Sequence, residues 1–299
     1  MVAEVLAALG VRPGGRYADG TVGGGGHAEA ILATSPPDGW LFGCDRDGVA
    51  LEASRERLES FAGRFELRRG NYADLAEMAE PESFDGVVLD LGLSSAQLDW
   101  PERGFSFQDG PLDMRMDTRQ ELKAADLVNV MSADELAKVF RELGEEPQAR
   151  RFARAIEQDR RQQPFRTTGQ LAGLIERLAP RRGRRTHPAT RVFQALRMAV
   201  NDELNSIDRG LAGALRILKP GGRLAVISFH SLEHRRIKNF GNERARDYTF
   251  PGTEDVPELR VPRKPELRWV ERKAITPGAA ELAANARSRS GQLRVMEKA

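Results

Sequence analysis

The stretch that decides the reading is Tyr17-Ala18-Asp19-Gly20-Thr21-Val22-Gly23-Gly24-Gly25-Gly26-His27. A short apolar strand, Arg16–Asp19, ends in an acid. Four consecutive glycines follow, and helical spacing starts at about His27 and runs to Ala33. Glycine tolerates backbone conformations that other residues resist and lets a ligand approach the main chain closely. The following helix N-terminus offers free N–H groups. A strand, a glycine turn and a helix in this order are the opening of an α/β nucleotide- or cofactor-binding unit.

Working outward, the same alternation repeats. Pro36-Pro37-Asp38-Gly39 marks a turn, and Trp40–Cys44 is a second strand ending at Asp45. Asp47–Phe61 has helical spacing. Phe65–Arg68 is a third strand ending at Gly70-Asn71-Tyr72, and Phe84–Leu89 is a fourth ending at Asp90. Strands alternating with helices at this spacing predict βαβ units and a parallel sheet. From about Phe105 to Pro188 the pattern is helical without a convincing strand. Ser132 and Glu135 form a capping box there, and further helices are expected over Gln148–Gln158 and Gly169–Leu178. From Ala189 a stripe of Phe193, Leu196, Val200, Leu204, Ile207, Leu211, Leu215 and Leu218 predicts one continuous long helix, stopped by Lys219-Pro220-Gly221-Gly222. Leu224–Phe229 is a fifth strand, and residues 241–266 read as a polar, Pro-rich loop. Leu267–Lys273 and Gln292–Glu297 read as an antiparallel pair at the sheet edge. The expected organisation is thus a sheet domain over 1–104 and 189–299, interrupted by an all-helical domain over 105–188.

Bulk properties narrow the class. With 299 residues and 40% hydrophobic content, the chain can bury a substantial core. The longest apolar stretches, such as Leu224–Phe229, are far too short to cross a bilayer, and the N-terminus lacks the pattern of a secretory signal. The single cysteine, Cys44, excludes an internal disulfide framework. A reducing, cytoplasmic location without a membrane partner is expected. Four scattered histidines and one cysteine give no metal-ligand cluster. Net charge is only +2, but Arg141–Arg197 holds 14 Arg, no Lys and 6 acids. The excess culminates in Arg181-Arg182-Gly183-Arg184-Arg185, so Arg181, Arg182, Arg184 and Arg185 are candidate contacts to a polyanion.

Charge also discriminates between cofactors at the glycine turn. Gly23-x-Gly25-x-x-Ala28 formally matches a dinucleotide fingerprint, with Asp45 about 20 residues on where a ribose-binding acid belongs. A pyrophosphate would meet Asp19 and Asp90, and one like-charge contact at about 4 Å costs on the order of 4 kcal/mol at an effective dielectric of ~20. S-adenosylmethionine carries a sulfonium and an ammonium, and acids attract both. Against these roles stand ordinary ones: Asp19 or Asp45 as helix-capping acids, and Tyr72 as core filling.

At Asp90 a family resemblance appears. Asp19–His27, Asp90–Asp117, Thr186–Leu204 ("THPATRVFQALRMAVNDEL"), Leu218–Lys238 ("LKPGGRLAVISFHSLEHRRIK") and Asn285–Val295 together resemble the MraW (RsmH) family. These enzymes use S-adenosylmethionine to methylate the exocyclic N4 of a cytosine in the decoding region of 16S, small-subunit, ribosomal RNA. The resemblance implies a class I methyltransferase, Rossmann-like sheet with a helical domain inserted after the fourth strand. It implies cofactor contacts from Gly25, Gly26, His27, Asp45, Tyr72, Asp90 and Gln97. Tyr72 stands where most members have Phe, and Ala96 where most have Pro. The front also departs, with Met1-Val2-Ala3-Glu4 in place of a His-x-Pro-Val-Leu-Leu-like segment. The implied substrate is 16S ribosomal RNA or the assembled small subunit, and a homodimer is left open.

Chemistry after the fourth strand is unusual. Many amino methyltransferases place Asp/Asn-Pro-Pro-aromatic there, whereas this chain has Asp90-Leu91-Gly92-Leu93-Ser94-Ser95. Asp90 is the candidate to neutralise the sulfonium or accept from the amine, in a transfer driven mainly by positioning. His230, at the end of the fifth strand, is a second candidate on the substrate side, and Asn201 is a weaker third. Two other functions remain open at this point: a nicotinamide-dependent oxidoreductase on a similar sheet, and a non-catalytic RNA-binding or ribosome-assembly factor.

Overall fold

The structure, a computed structural model, describes residues 1–180, 186–251 and 254–299, with no side-chain description at 95 and 96. The chain divides into two compact units, residues 1–92 with 204–299, and residues 93–203.

In the first unit, β1 (Arg16–Asp19), β2 (Trp40–Asp45), β3 (Phe65–Arg69), β4 (Phe84–Asp90) and β5 (Leu218–Ser228) pair in parallel. A two-residue hairpin, β6 (Tyr248–Thr249) with β7 (Val261–Pro262), lies outside this sheet. β8 (Leu267–Trp269) and β9 (Gln292–Lys298) complete a seven-stranded sheet of order β3-β2-β1-β4-β5-β9-β8. β9 runs antiparallel between β5 and β8, so the expected terminal pair does close one edge. The order reverses between β1 and β4, which places a crevice beyond their carboxyl ends.

Strict alternation explains why the strands read as continuous apolar runs. Ala18, Phe42, Val87, Leu89, Leu224 and Val226 face one core, together with Leu75, Ile207, Leu211, Ile237 and Phe240. Tyr17, Leu41, Val88, Ala225 and Ile227 face the other, with Val5, Ile31, Leu32 and Leu51. A sheet covered on both faces has no polar register to keep. The helices Val2–Leu9, Gly26–Thr34 and Gly48–Arg57 cover the second face; Glu203–Ile217 and Ser231–Arg244 cover the first.

The second unit is helical. Ala124–Val130, Ala133–Glu142, Ala149–Asp159, Thr168–Leu178 and Thr190–Val200 surround a core that includes Phe140, Phe152, Ile156, Leu171, Ile175, Val192 and Leu196. The Ser132 box is present: Glu135 N–H donates to Ser132 Oγ at 3.3 Å, and Ser132 N–H donates to Glu135 Oε2 at 2.8 Å.

The single long helix expected from Ala189 is two. Asp202 adopts φ 48, and the chain breaks between Val200 and Glu203. The Asn201 side chain accounts for the break. Buried, it donates from Nδ2 to Met114 O and Arg197 O, and accepts from Met116 N–H at 2.7 Å. Its amide ties the helix end to a loop whose Met114 also has positive φ, 61. The first half of the apolar stripe therefore belongs to the helical core, and the units part at 92/93 and 203/204 instead of 104/105 and 188/189.

Candidate cofactor and active site

The tips of β1 and β4 carry Asp19 and Asp90 to the reversal point of the sheet. Thr21 joins them. Its N–H donates to Asp19 Oδ1 at 3.0 Å, while its hydroxyl accepts from Asp90 N–H at 2.7 Å. Asp19 is 1% exposed. Burial, reinforced by Asp90 and Asp45, pushes its carboxyl from 3.8 to about 7, against the Thr21 N–H that favours the anion. Burial likewise raises Asp90 to about 7, with Glu233 adding to the effect and the amino group of Met1 opposing it. The Asp90 side chain keeps 32% of its area exposed, so solvent tempers that shift.

These acids lack protein partners at their working atoms. Among the described residues, Asp19 Oδ2, Asp90 Oδ1 and His27 Nε2 are buried without a hydrogen bond. Each such orphan costs about 1–3 kcal/mol in a finished fold. Burial lowers His27 to about 4, so its ring is neutral at pH 7; Nδ1 lies 3.9 Å from Asp90 Oδ2.

The glycine turn is built by its neighbours. Gly23 and Gly25 have φ of 49 and 80, the left-handed region where a side chain is strained. A Cβ on Gly25 would also stand 3.2 Å from Ser54 Oγ. Gly24 has nothing within 4 Å of such a Cβ, and Gly26 only Arg57 Nη1 at 3.9 Å. Two glycines thus serve the turn, and two leave space. Asp45 locks the turn: Oδ2 accepts from Gly23 N–H and Oδ1 from Asp47 N–H, both at 2.9 Å. The helix-capping role weighed for Asp45 falls to Asp47, which accepts from Val49 N–H.

Tyr72 is half-buried at the end of β3. A Cβ on Gly210 would lie 2.3 Å from its ring, so the ring packs against that helix; the Arg46 guanidinium lies 5.9 Å from the ring centre. Gln97 belongs to the helical unit, where its Oε1 accepts from Ser94 N–H and its own N–H donates to Ser94 Oγ. Asn201 is taken up by the loop contacts described above. Arg181, Arg182, Arg184 and Arg185 lie outside the described residues. Of the other arginines in the run, Arg160 donates to Val128 O and Met131 O, and Arg197 grips Glu203 through two bonds of 2.7 and 2.8 Å.

At the tip of β5, His230 Nε2 lies 3.1 Å from Glu233 Oε1. Glu233 is 1% exposed and accepts from Phe229 N–H at 2.7 Å. A Cβ on Gly92 would touch Phe229, so the ends of β4 and β5 converge. Sequence reasoning singled out His230 but missed Glu233 and Thr21. Both had a signal: Glu233 follows His230 at capping-box spacing, and Asp19-Gly-Thr21 is an Asx-turn sequence.

Among the described residues no group of His, Cys, Asp and Glu is arranged to hold a metal ion. None of their helices is long and apolar enough to cross a membrane.

Comparison with known proteins adds independent support. The family described as "MraW methylase family" matches residues 1–299. "Ribosomal RNA small subunit methyltransferase H" of Syntrophotalea carbinolica is 50% identical, with 100% of this chain and 96% of the relative covered. The protein of the same name from Thermomicrobium roseum is 48% identical, with 100% and 92% covered. Among solved structures, TrmN from Thermus thermophilus aligns with a TM-score of 0.46 at 14% identity, covering 100% of this chain and 48% of that one. So remote a likeness says nothing about chemistry. With its whole length matched and relatives half identical to it, the chain belongs to the MraW methylase family.

Proposed function

We propose that the chain methylates the exocyclic N4 of a cytosine in the decoding region of 16S ribosomal RNA, using S-adenosylmethionine. The relatives' names supply the small-subunit RNA, and the family resemblance supplies the atom. The observation that carries the cofactor assignment is the pair of unpartnered carboxylate oxygens, Asp19 Oδ2 and Asp90 Oδ1, beside a glycine turn with open space. That donor set fits a cation. It does not fit a pyrophosphate, which disfavours a dinucleotide in the same turn.

When bound, S-adenosylmethionine supplies an electrophilic methyl group on a positively charged sulfur. Asp19 and Asp90 hold the cationic part, and binding favours their ionised forms. Gly25 shapes the turn, while Gly26 leaves room beside it. His27 contributes a neutral ring. Asp45 keeps the turn in register and, with Tyr72, is assigned to the adenosine end, while Gln97 is a cofactor contact on the family pattern. On the substrate side, Asp90 accepts a hydrogen bond from the cytosine amine, drawing its lone pair toward reaction. The amine must shed one proton as its new N–C bond forms. His230, backed by Glu233, is the candidate acceptor. The exposed arginines of the helical unit, with Arg181, Arg182, Arg184 and Arg185, are proposed to grip RNA phosphates.

The test is mass-spectrometric mapping of small-subunit RNA after incubation with purified protein and isotope-labelled methyl donor. The expected product is a single N4-methylated cytosine, with turnover about 10²-fold or more lower in Asp90→Ala. Label on another atom, or full turnover in Asp90→Ala, would remove this assignment.

A further inference from the structure

On the sheet unit itself, the helix Ser231–Arg244, the hairpin β6–β7 and the edge strand β8 enclose two adjoining cavities. They measure about 500 and 420 Å³ and share Asn242 and Arg246. The larger is lined by Lys238, Arg246, Arg272 and Arg294, with Trp269 and no carboxylate. The smaller adds Tyr248, Phe250 and Arg263, with Glu243 its one acid.

These cations differ from their neighbours. Several exposed arginines elsewhere on the unit are ion-paired: Arg12 with Asp85, Arg57 with Glu29, Arg68 with Glu66, Arg209 with Asp74 and Arg268 with Glu297. Lys238, Arg246, Arg272 and Arg294 have none among the described residues. Arg294 Nε is buried without a hydrogen bond, and its guanidinium lies 5.6 Å from the Trp269 ring centre. Arg246 lies over Tyr248 and Phe250, at 5.9 and 5.5 Å. The indole is held in place by Asn242, to which Nε1 donates at 3.1 Å. Four cations without a close ion pair, interleaved with aromatic rings in a concave wall, suit a chain of phosphates carrying stackable bases.

Position adds to chemistry. Lys238 and Asn242 recur at a four-residue step, with Arg246 one further step on, just past the helix end. Seven residues separate Lys238 from Ser231 at the tip of β5, about 10 Å at 1.5 Å per residue. The Lys238 end of the groove therefore lies about two helical turns from His230.

We propose that this groove is a second RNA-binding surface, which takes a single-stranded stretch of the substrate RNA. The proposal rests on the ribosomal RNA reading above and assigns part of the grip to the sheet unit, apart from the arginine run of the helical unit. The test uses the full chain carrying Lys238→Glu, Arg246→Glu and Arg272→Glu, with Arg272→Ala as a milder variant on an exposed residue. Binding of a labelled single-stranded RNA of about 12 nucleotides is followed by fluorescence anisotropy across a salt series. The triple variant is expected to bind about 10²-fold more weakly, with the slope of log affinity against log salt flatter by about 2. Arg272→Ala is expected to flatten it by about 0.7. S-adenosylmethionine affinity stays at the wild-type value in both. Wild-type RNA affinity and slope in both variants overturn the groove assignment and leave the methylation reading intact. Failure of the wild-type protein to bind the RNA overturns the groove as well. Failure of the wild-type protein to methylate small-subunit RNA, with the donor bound, overturns the function and not the groove.

Discussion

Replacing Asp19 by Asn removes the charge at the tip of β1 while keeping an acceptor for the Thr21 N–H, 3.0 Å away. In the folded protein without ligand this carboxyl sits at about 7, against 3.8 for the free side chain. A folded value above the unfolded one means that the contribution is fully present below about pH 4 and is lost as pH rises through 7. The ceiling on that loss is about 4 kcal/mol, roughly three units at 1.36 kcal/mol each. Part of that push comes from Asp90 and Asp45, and burial of Asp19 itself accounts for about 2 kcal/mol. Asn escapes the loss, so Asp19→Asn should melt like wild type near pH 4 and about 4–8 °C higher at pH 8. The same change should weaken S-adenosylmethionine binding by about 10²–10³-fold, the equivalent of some 3–4 kcal/mol of charge attraction. Thermal melts without ligand at the two pH values, and calorimetric titration at pH 8, read both effects. Stability and affinity moving in opposite directions identify an acid kept for a ligand. An Asn variant that is less stable at pH 8, or that binds the donor as well as wild type, refutes the reasoning.

Because Asp19 and Asp90 both lie at about 7 and the cation prefers their ionised forms, donor affinity should fall about tenfold or more from pH 8 to pH 6. Binding at pH 7 should release protons, measurable by calorimetry in buffers of different ionisation enthalpy; pH-independent affinity contradicts this. Gly26→Ala should leave melting within about 1 kcal/mol of wild type, since its Cβ meets only Arg57 Nη1 at 3.9 Å, yet lower donor affinity at least tenfold. Gly25→Ala should cost about 1–2 kcal/mol of stability through its φ of 80, seen as a lower melting temperature. Asn201→Ala should destabilise by about 2–4 kcal/mol in denaturant titrations, because it leaves Met114 O and Met116 N–H without their side-chain partner.

What could be read in advance follows from where the physics is local. Strands β2, β4 and β5 announced themselves because both faces are apolar, β3 by the alternation of Phe65 and Leu67 with Glu66 and Arg68, and Asp19, Asp45 and Asp90 could be placed because each ends a strand. The break at Asn201-Asp202 was hidden, since the hydrophobic period continues across it. Only the tie from Asn201 to Met114 and Met116, some 85 residues away in sequence, turns one helix into two. Asp45 could be read as a ribose-binding or a helix-capping acid, but its bonds to Gly23 and Asp47 depend on the folded turn. Glu233 and the Arg246–Trp269 groove were missed for a related reason: their meaning lies in which charges lack partners, and pairing is set by tertiary neighbours. The arginine run shows the reverse error of scale. Local charge excess flagged it correctly as basic, yet Arg160 and Arg197 are spent on helix ends and on Glu203.

The most direct test of the central claim, that buried acids at the β1–β4 crevice select a cationic methyl donor, is calorimetric titration of the chain at pH 8 with S-adenosylmethionine and, separately, with a nicotinamide dinucleotide. Saturable binding of the first with no detectable heat from the second is the predicted result. Binding of the dinucleotide in preference to the methyl donor would contradict it.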